Sequence, residues 1–335
     1  MKRILLTLAF VLTWSICVRA QNGISDLGEL IGKTMNFADS ARLMAPWPPP
    51  SGTIRAIIDA DAANEVDDQY AIALALGFPE RFKIEGMIAS HYGVRGGSSG
   101  IKKSYESIQE VLEKSGLQTD IGIKSGIPPL TFFDYLPPSD GVDFIIDQAR
   151  TASIDRPLWI IALGPATNVA GAVLKDPSII DKIVVFWHGR TQWPQRCWNF
   201  NAYNDTKAVQ LLFDLPVRLI LFDTGTQITM PMEESREKIF TNGKMGEYLH
   251  HIRDRSPYAR QPDKGLFDLG DMAALIDPGI CKSEITKAPT VGHDLRYSFN
   301  EERGKIVRIF DIDKDQCFDL LQKALDNMNP RSSAH

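Results

Sequence analysis

The chain contains few cysteines, and their number and spacing exclude two kinds of small scaffold. Only four occur in 335 residues. Cys17 lies in an apolar leader, which leaves an odd number, Cys197, Cys281 and Cys317, at wide spacing. Such a pattern is typical of neither a disulfide framework nor a cysteine-based zinc site. One disulfide remains open, because the sequence does not say which cysteines would pair.

The chain also lacks a cluster of basic residues, and beyond its N-terminus it has no apolar run long enough to cross a membrane. Asp and Glu total 42 against 37 Lys and Arg, for a formal net charge of −5. Binding to nucleic acids or anionic membranes depends on clustered positive charge. We therefore expect the partner to be a small molecule, and neither a nucleic acid nor an anionic membrane.

The first twenty residues have the pattern of a secretory signal peptide. Lys2 and Arg3 form a basic start, an apolar run to Cys17 follows, and a small residue, Ala20, marks the expected cleavage point. The apolar run is shorter than the ~20 residues that a membrane span needs. We therefore expect a secreted or periplasmic protein without a membrane anchor after cleavage.

The rest of the chain divides by composition. Residues 21–52 contain four prolines between positions 46 and 50 and are expected to form an N-terminal arm. Residues 53–328 carry the alternating apolar patterns of a folded domain, and 329–335 form a short polar tail.

The most informative stretch runs from Asp59 to Asp68, with five carboxylates and no Lys or Arg. The β-branched, apolar run Thr53–Ile58 before it predicts a buried strand. An apolar stripe at helical spacing from Tyr70 to Phe78 predicts a helix after it, and Asn64 is its expected N-cap. The acids are therefore expected at the carboxyl end of a strand, the edge at which open α/β sheets bind ligands.

So many carboxylates at one corner indicate a bound cation. Asp59 and Asp61 lie two residues apart and point to the same side of an extended backbone. Asp67 and Asp68 fall in the first helical turn, where the dipole favours an anion by roughly 0.3–1 kcal/mol each. That is too little to hold the group together, whereas Ca²⁺ takes six to eight oxygen ligands. A solvated acidic loop is the alternative, which the apolar flanks disfavour.

Two other families with acidic loops were weighed. An EF-hand loop needs Gly at its sixth position and Glu at its twelfth, but counting from Asp59 these places hold Asn64 and Tyr70. A haloacid-dehalogenase-type phosphatase also begins with a strand and Asp-x-Asp. It usually has Thr two residues later, where this chain has Ala63. The phosphatase therefore stays an alternative, and the EF-hand does not.

Apolar strands and helical patterns alternate through the rest of the chain, which predicts a single α/β domain with a mostly parallel central sheet flanked by helices. His91 and His188 each follow a predicted strand and are expected at the ligand-binding edge. The predicted strands are Ile84–Ser90, Leu158–Leu163, Ile183–Trp187 and Val217–Phe222, and the predicted helices are Ile101–Lys114, Val142–Arg150, Asp205–Phe213 and Lys314–Leu325.

The acidic stretch resembles the signature of nucleoside hydrolases, Asp-Thr-Asp-Pro-Gly-x-Asp-Asp after the first strand. It is similar to a form with a loop two residues longer, Asp-x-Asp-x-x-Asn-Glu-x-Asp-Asp, from Asp59 to Asp68. Two later segments resemble the family in the same order. The segment from Gly164 to Asn168 is similar to Gly-Pro-Leu-Thr-Asn, and the segment from Asn199 to Asn201 is similar to Glu-Phe-Asn.

The resemblance implies a calcium-dependent enzyme that hydrolyses the N-glycosidic bond of nucleosides or related ribosides. It implies that Asp61 accepts the proton of an attacking water, and that Asp59 orients the ligands. The implied metal ligands are Asp61, Asp68, the main-chain carbonyl of Thr167, and Asp268 or Asp271, between which the sequence does not choose. The implied substrate-binding residues are Asn64, Asp67, Asn199 and Asn201.

Two departures from the family pattern keep a rival function open. Asn199 stands where the family has Glu, and Phe267 stands where several relatives have a His that helps the base to leave. A phenyl ring cannot donate a proton, so His91 or His188 would have to contact the base instead. A catalytically weak or inactive, calcium-dependent binder of nucleosides or sugars is the alternative. The sequence also leaves open whether the protein forms a homo-oligomer.

Overall fold

The computed structural model describes residues 42–117, 120–131, 135–255 and 259–329. The predicted signal peptide lies outside the described residues, as do most of the N-terminal arm and all but Asn329 of the tail. The described end of the arm packs on the domain. There the Arg42 guanidinium donates to the carbonyl oxygens of Val217 at 3.0 Å and Arg303 at 2.7 Å.

The described residues contain twelve strands, eight of which form one sheet. The strands are β1 Ile54–Ala60, β2 Phe82–Ala89, β3 Ile123–Ser125, β4 Leu158–Ala162, β5 Ile183–His188, β6 Arg218–Phe222, β7 Thr229–Pro231, β8 Asp263–Gly265, β9 Cys281–Lys287, β10 Thr290–Val291, β11 Tyr297–Ser298 and β12 Lys305–Ile312. The order in the large sheet is β3-β2-β1-β4-β5-β6-β12-β9. All neighbours in it are parallel except β9, which runs antiparallel to β12. The predicted fold class is therefore confirmed.

Helices cover both faces of this sheet. They are α1 Asp67–Leu76, α2 Gly93–Gly96, α3 Gly100–Ser115, α4 Asp140–Arg150, α5 Thr167–Lys175, α6 Phe200–Asn204, α7 Thr206–Asp214, α8 Met232–Glu234, α9 Gly243–Arg255, α10 Leu269–Ile276 and α11 Lys314–Met328. Alternate residues of β1 enter different apolar clusters: Ile58 packs with α1, α10 and α11, and Ile57 packs with α4, α5 and α7. Because both faces of the sheet are covered, the central strands β4 and β5 are almost entirely apolar, as buried parallel strands usually are.

The predicted N-cap of α1 is wrong. The residue before the helix is Val66, and it makes no side-chain cap. Asn64 instead donates its backbone N–H to the Asp61 carbonyl at 2.8 Å and accepts a side-chain hydrogen bond from Arg95 at 3.1 Å. The side-chain oxygen with which Asn64 would have capped the helix therefore accepts from Arg95 instead.

Two further findings concern the cysteines and the membrane. Cys197, Cys281 and Cys317 are all free thiols. Among the helices of the described ranges, none combines the length and the apolar character needed to cross a membrane.

Candidate metal and substrate site

Three acids of the predicted corner come together directly after β1. Asp61 follows the strand, and Asp67 and Asp68 open α1. All three are buried, with 2%, 6% and 2% of their surface exposed. The loop after β4 packs on this corner, because a Cβ at Gly164 would lie 3.1 Å from the Asp61 side chain. A residue larger than glycine there would displace Asp61.

A fourth acid, Asp268, belongs to the same group. It is the residue directly before α10. Carboxylate oxygens of Asp67, Asp68 and Asp268 all lie within 4.8 Å of one another. Burial raises the pKa of Asp61, Asp68 and Asp268 well above the usual value, and the neighbouring carboxylates add a smaller contribution in the same direction. Oδ2 of Asp61 and Oδ1 of Asp68 are buried and have no hydrogen-bond partner. Unpartnered buried oxygens of several acids at one point fit a divalent cation with oxygen ligands.

Asp59 lies inside β1, beneath this group, and is fully buried. Its Oδ1 accepts hydrogen bonds from the Ser90 hydroxyl and, at 2.9 Å, from the Asn168 amide. The Asn168 amide oxygen accepts in turn from the backbone N–H of Ile127 at 2.9 Å. Burial raises the pKa of Asp59 to about 7. Asp59 is therefore hydrogen-bonded to Ser90 and Asn168 beneath the corner, and through Asn168 to the loop at Ile127.

Sequence reasoning missed both partners of Asp59. Asn168 has the residue type of an N-cap, but the cap position of α5 is Ala166 and no side chain caps this helix. Ser90, directly after β2, carried only a weak signal, a single polar residue at the end of an apolar strand. Both residues contact Asp59 across a long stretch of chain, so local patterns do not identify them.

Thr167 and His91 form a hydrogen-bonded chain behind the acids. The Gly93 backbone N–H donates to Nδ1 of His91 at 3.0 Å, so Nε2 carries the proton and lies 2.7 Å from Oγ1 of Thr167. That hydroxyl donates to Oδ2 of Asp205 at 2.8 Å. Burial lowers the pKa of His91 to about 4, so the ring is neutral. Because both ring nitrogens are engaged and His91 does not line the pocket described next, the prediction that it contacts the substrate is not supported by its position.

A pocket of about 260 Å³ opens onto the acids. Eight residues predicted from the sequence line it, namely Asp61, Asn64, Asp67, Asp68, His188, Asn199, Asn201 and Asp268. The lining does not include Asp59, Thr167 or Asp271. Of these three, Asp271 contacts the lining through His188. Glu65, Arg190 and Phe200 also line the pocket but were not predicted as site residues, and Phe267, the departure noted in the sequence, faces it as well.

The two asparagines after β5 form hydrogen bonds to the backbone that fix one wall of the pocket. Asn199 caps α6 by accepting from the Ala202 N–H at 2.9 Å, and its amide nitrogen donates to the Gly189 carbonyl at 2.7 Å. The amide nitrogen of Asn201 donates to the carbonyls of Leu163 at 2.7 Å and His188 at 3.1 Å. A ligand therefore meets chiefly the amide oxygen of Asn201.

Asp268 and Asp271 occupy different positions: both group with His188 as side chains that could hold a metal ion, but only Asp268 also groups with Asp67 and Asp68. Asp268 lines the pocket with Asp67 and Asp68, whereas Asp271 is fully buried below it. Nδ1 of His188 lies 2.6 Å from Oδ2 of Asp271 and 3.2 Å from Oδ1 of Asp268. Burial raises the pKa of Asp271 to about 6, although His188 opposes the shift. Asp271 therefore orients His188, whose ring also faces the pocket.

Comparison with known proteins decides the family. A family model described as inosine-uridine preferring nucleoside hydrolase matches residues 56–319. This chain belongs to that family. The predicted resemblance is thus confirmed, and so is the prediction of an N-glycosyl hydrolase. The phosphatase alternative no longer holds.

Solved structures of nucleoside hydrolases share the fold. A plant nucleoside hydrolase aligns over 83% of this chain and 99% of its own, with a TM-score of 0.66 and 20% identity. A purine-preferring ribonucleoside hydrolase from Gardnerella vaginalis aligns over 82% and 98%, with a TM-score of 0.65 and 20% identity. An inosine-uridine preferring nucleoside hydrolase from Bacillus anthracis aligns over 82% and 100%, with a TM-score of 0.62 and 15% identity. No curated protein matches the sequence.

Proposed function

We propose that the protein hydrolyses the N-glycosidic bond of nucleosides or related ribosides with Ca²⁺ bound at the acidic corner. The supporting observation is the pair of buried, unpartnered oxygens on Asp61 and Asp68 beside Asp67 and Asp268. Burying ionised carboxylates without partners is strongly unfavourable, and a set made only of oxygens suits Ca²⁺. The proposed ligands are Asp61, Asp68, Asp268 and the main-chain carbonyl of Thr167.

Asp61 is the proposed general base. A divalent cation bound beside it would polarise a water molecule and make its proton easier to remove. Asp61 lies at the carboxyl end of β1, faces the pocket and has an oxygen without a partner. That oxygen can accept the proton of the attacking water as the bond to the base breaks.

The acidic walls of the pocket would bind and polarise the sugar. The Asp67 carboxylate and the amide oxygen of Asn201 can accept hydrogen bonds from sugar hydroxyls, with Asn64 and Asn199 at the edge of the same surface. Positive charge develops on the sugar ring in an oxocarbenium-like transition state. Carboxylates fixed around that ring stabilise the charge without having to reorganise.

Cleavage of a nucleoside panel tests this function. We expect protein loaded with Ca²⁺ to release free ribose from at least one of inosine, uridine, adenosine and cytidine, and excess chelator to stop the release. Tight nucleoside binding without ribose release would favour the non-catalytic binder instead. Export after cleavage at Ala20 remains a separate proposal that rests on the leader sequence, and the N-terminal sequence of the mature protein tests it.

Calcium should also stabilise the fold through Asp268 and not through Asp271. A ligand at about 100 times its dissociation constant stabilises by roughly 2.7 kcal/mol, which for a domain of this size raises the melting temperature by about 5–10 °C. We expect Asp268→Asn to lose most of this shift. Thermal melts with Ca²⁺ and with excess chelator measure it.

Asp271→Asn is the matched control, because it removes one carboxylate charge close to Asp268 and keeps a polar group beside His188. It should retain most of the calcium-dependent shift. Equal melting temperatures of the wild-type protein with calcium and with chelator would argue against a metal site at this corner.

A further inference from the structure

The pocket is strongly acidic, yet one of the cations that line it has no acidic partner. Five carboxylates face the cavity, those of Asp61, Glu65, Asp67, Asp68 and Asp268. The Arg190 side chain faces it too and is half-buried. Among the residues that the structure describes, none forms a hydrogen bond or an ion pair with its guanidinium.

Arg190 is nevertheless held in place. It lies two residues beyond the end of β5, and its backbone N–H donates to the Phe222 carbonyl at 3.1 Å. Its guanidinium carbon lies 4.2 Å from the centre of the Phe267 ring. That ring packs on the backbone of Gly265, where a Cβ would lie 2.1 Å from its Cζ. A stacked guanidinium keeps its N–H edge available for a ligand.

The neighbouring cation, Lys264, does have an acidic partner. The Lys264 ammonium lies 5.6 Å from the centre of the same ring. It forms an ion pair with Glu65 and donates to the Gly265 carbonyl at 2.7 Å. The charge of Lys264 is therefore compensated within the protein, and that of Arg190 is left for a ligand.

We propose that Arg190 selects nucleoside substrates that carry an anionic group, either a carboxylate on the base or a phosphate on the sugar. The guanidinium fork matches both groups. The five carboxylates of the protein would repel such a group, whereas the Arg190 guanidinium beside Phe267 would attract it. This inference rests on the proposed function and refines its substrate class.

Three substrates that share one base type test the proposal. Uridine is neutral, orotidine carries a carboxylate on the base, and uridine 5′-monophosphate carries a phosphate on the sugar. We expect calcium-loaded wild-type protein to cleave one of the anionic compounds at least tenfold more efficiently than uridine. Arg190→Gln should lower kcat/KM for that compound by about 10–100-fold, mainly through KM, and by much less for uridine. The preferred compound identifies which anion is recognised.

Arg196→Gln is the matched control. Its guanidinium also stacks on an aromatic ring, that of Trp198 at 4.8 Å, but it lies outside the pocket. This variant should keep the wild-type ratio of anionic to neutral turnover. Arg190→Lys retains a charge without the fork and should recover part of the ratio. A ratio unchanged in Arg190→Gln, or a wild-type preference for uridine over both anions, overturns the proposal.

Failure of the proposed function would look different, because wild-type protein would then release the free base, uracil or orotate, from none of the three compounds. In that case, calorimetric binding of the same compounds to the calcium-loaded protein decides the inference. Tighter binding of an anionic compound that Arg190→Gln abolishes supports it. Equal binding of all three compounds overturns it.

Discussion

Asp61→Ala is expected to leave no measurable nucleoside cleavage. The substitution removes the proposed base and a proposed metal ligand together. Loss of a general base alone commonly slows a reaction about 10²–10⁴-fold, and weaker cation binding adds to that loss. Steady-state release of ribose with saturating calcium measures the effect. A variant that kept a tenth of wild-type turnover would show that another group acts as the base.

Two further variants distinguish a loss of catalysis from a loss of folding. Asp61→Asn keeps the shape of a side chain that the Gly164 loop packs against, so with excess chelator its melting temperature should stay close to that of the wild type, while turnover with calcium is still lost. Asp143→Asn removes the same charge from an exposed ion pair with Lys175 on the surface and should keep full turnover. A similar loss in both carboxamide variants would point to net charge as the cause.

The position of the acidic corner could be predicted because strand, acids and helix follow one another in sequence. A buried strand ends at the sheet edge, and α1 begins one turn before its apolar stripe, so Asp61, Asp67 and Asp68 had to lie near that edge. Strand β9 could not be predicted in this way. Its sequence from Cys281 to Lys287 is mostly polar, since it forms an exposed edge with one neighbouring strand.

The choice between Asp268 and Asp271 depends on packing that the sequence does not contain. The two residues lie three apart, one helical turn, and both point toward the same end of the sheet. Asp268 lines the pocket beside Asp67 and Asp68, whereas Asp271 is fully buried and contacts the pocket through His188. Similarly, His91 follows β2 as predicted, but the turn at Gly93, with a φ of 59°, directs a backbone N–H to the ring and helps to hold it behind Thr167.

His188→Gln is expected to slow cleavage of inosine and uridine by about 10²–10⁴-fold and to affect a nitrophenyl riboside far less. A departing base must be protonated or otherwise stabilised, whereas nitrophenolate leaves unaided. Phe267 has no proton to give, Arg190 does not deprotonate, and His91 lies outside the pocket. His188 faces the pocket and its Nδ1 donates to Asp271, so the imidazolium form of the ring is the proposed acid, which gives the proton on Nε2 to the base.

Glutamine at position 188 retains an N–H group for Asp271, so that this buried carboxylate is not left without a partner. His91→Gln is the control, and any loss it causes should be equal for both substrate types, because His91 acts only through Thr167. A ratio of inosine to nitrophenyl riboside cleavage that falls only in His188→Gln identifies the acid. Inosine cleaved as fast as the nitrophenyl compound, and unchanged in both variants, would mean that the base departs without help from either histidine.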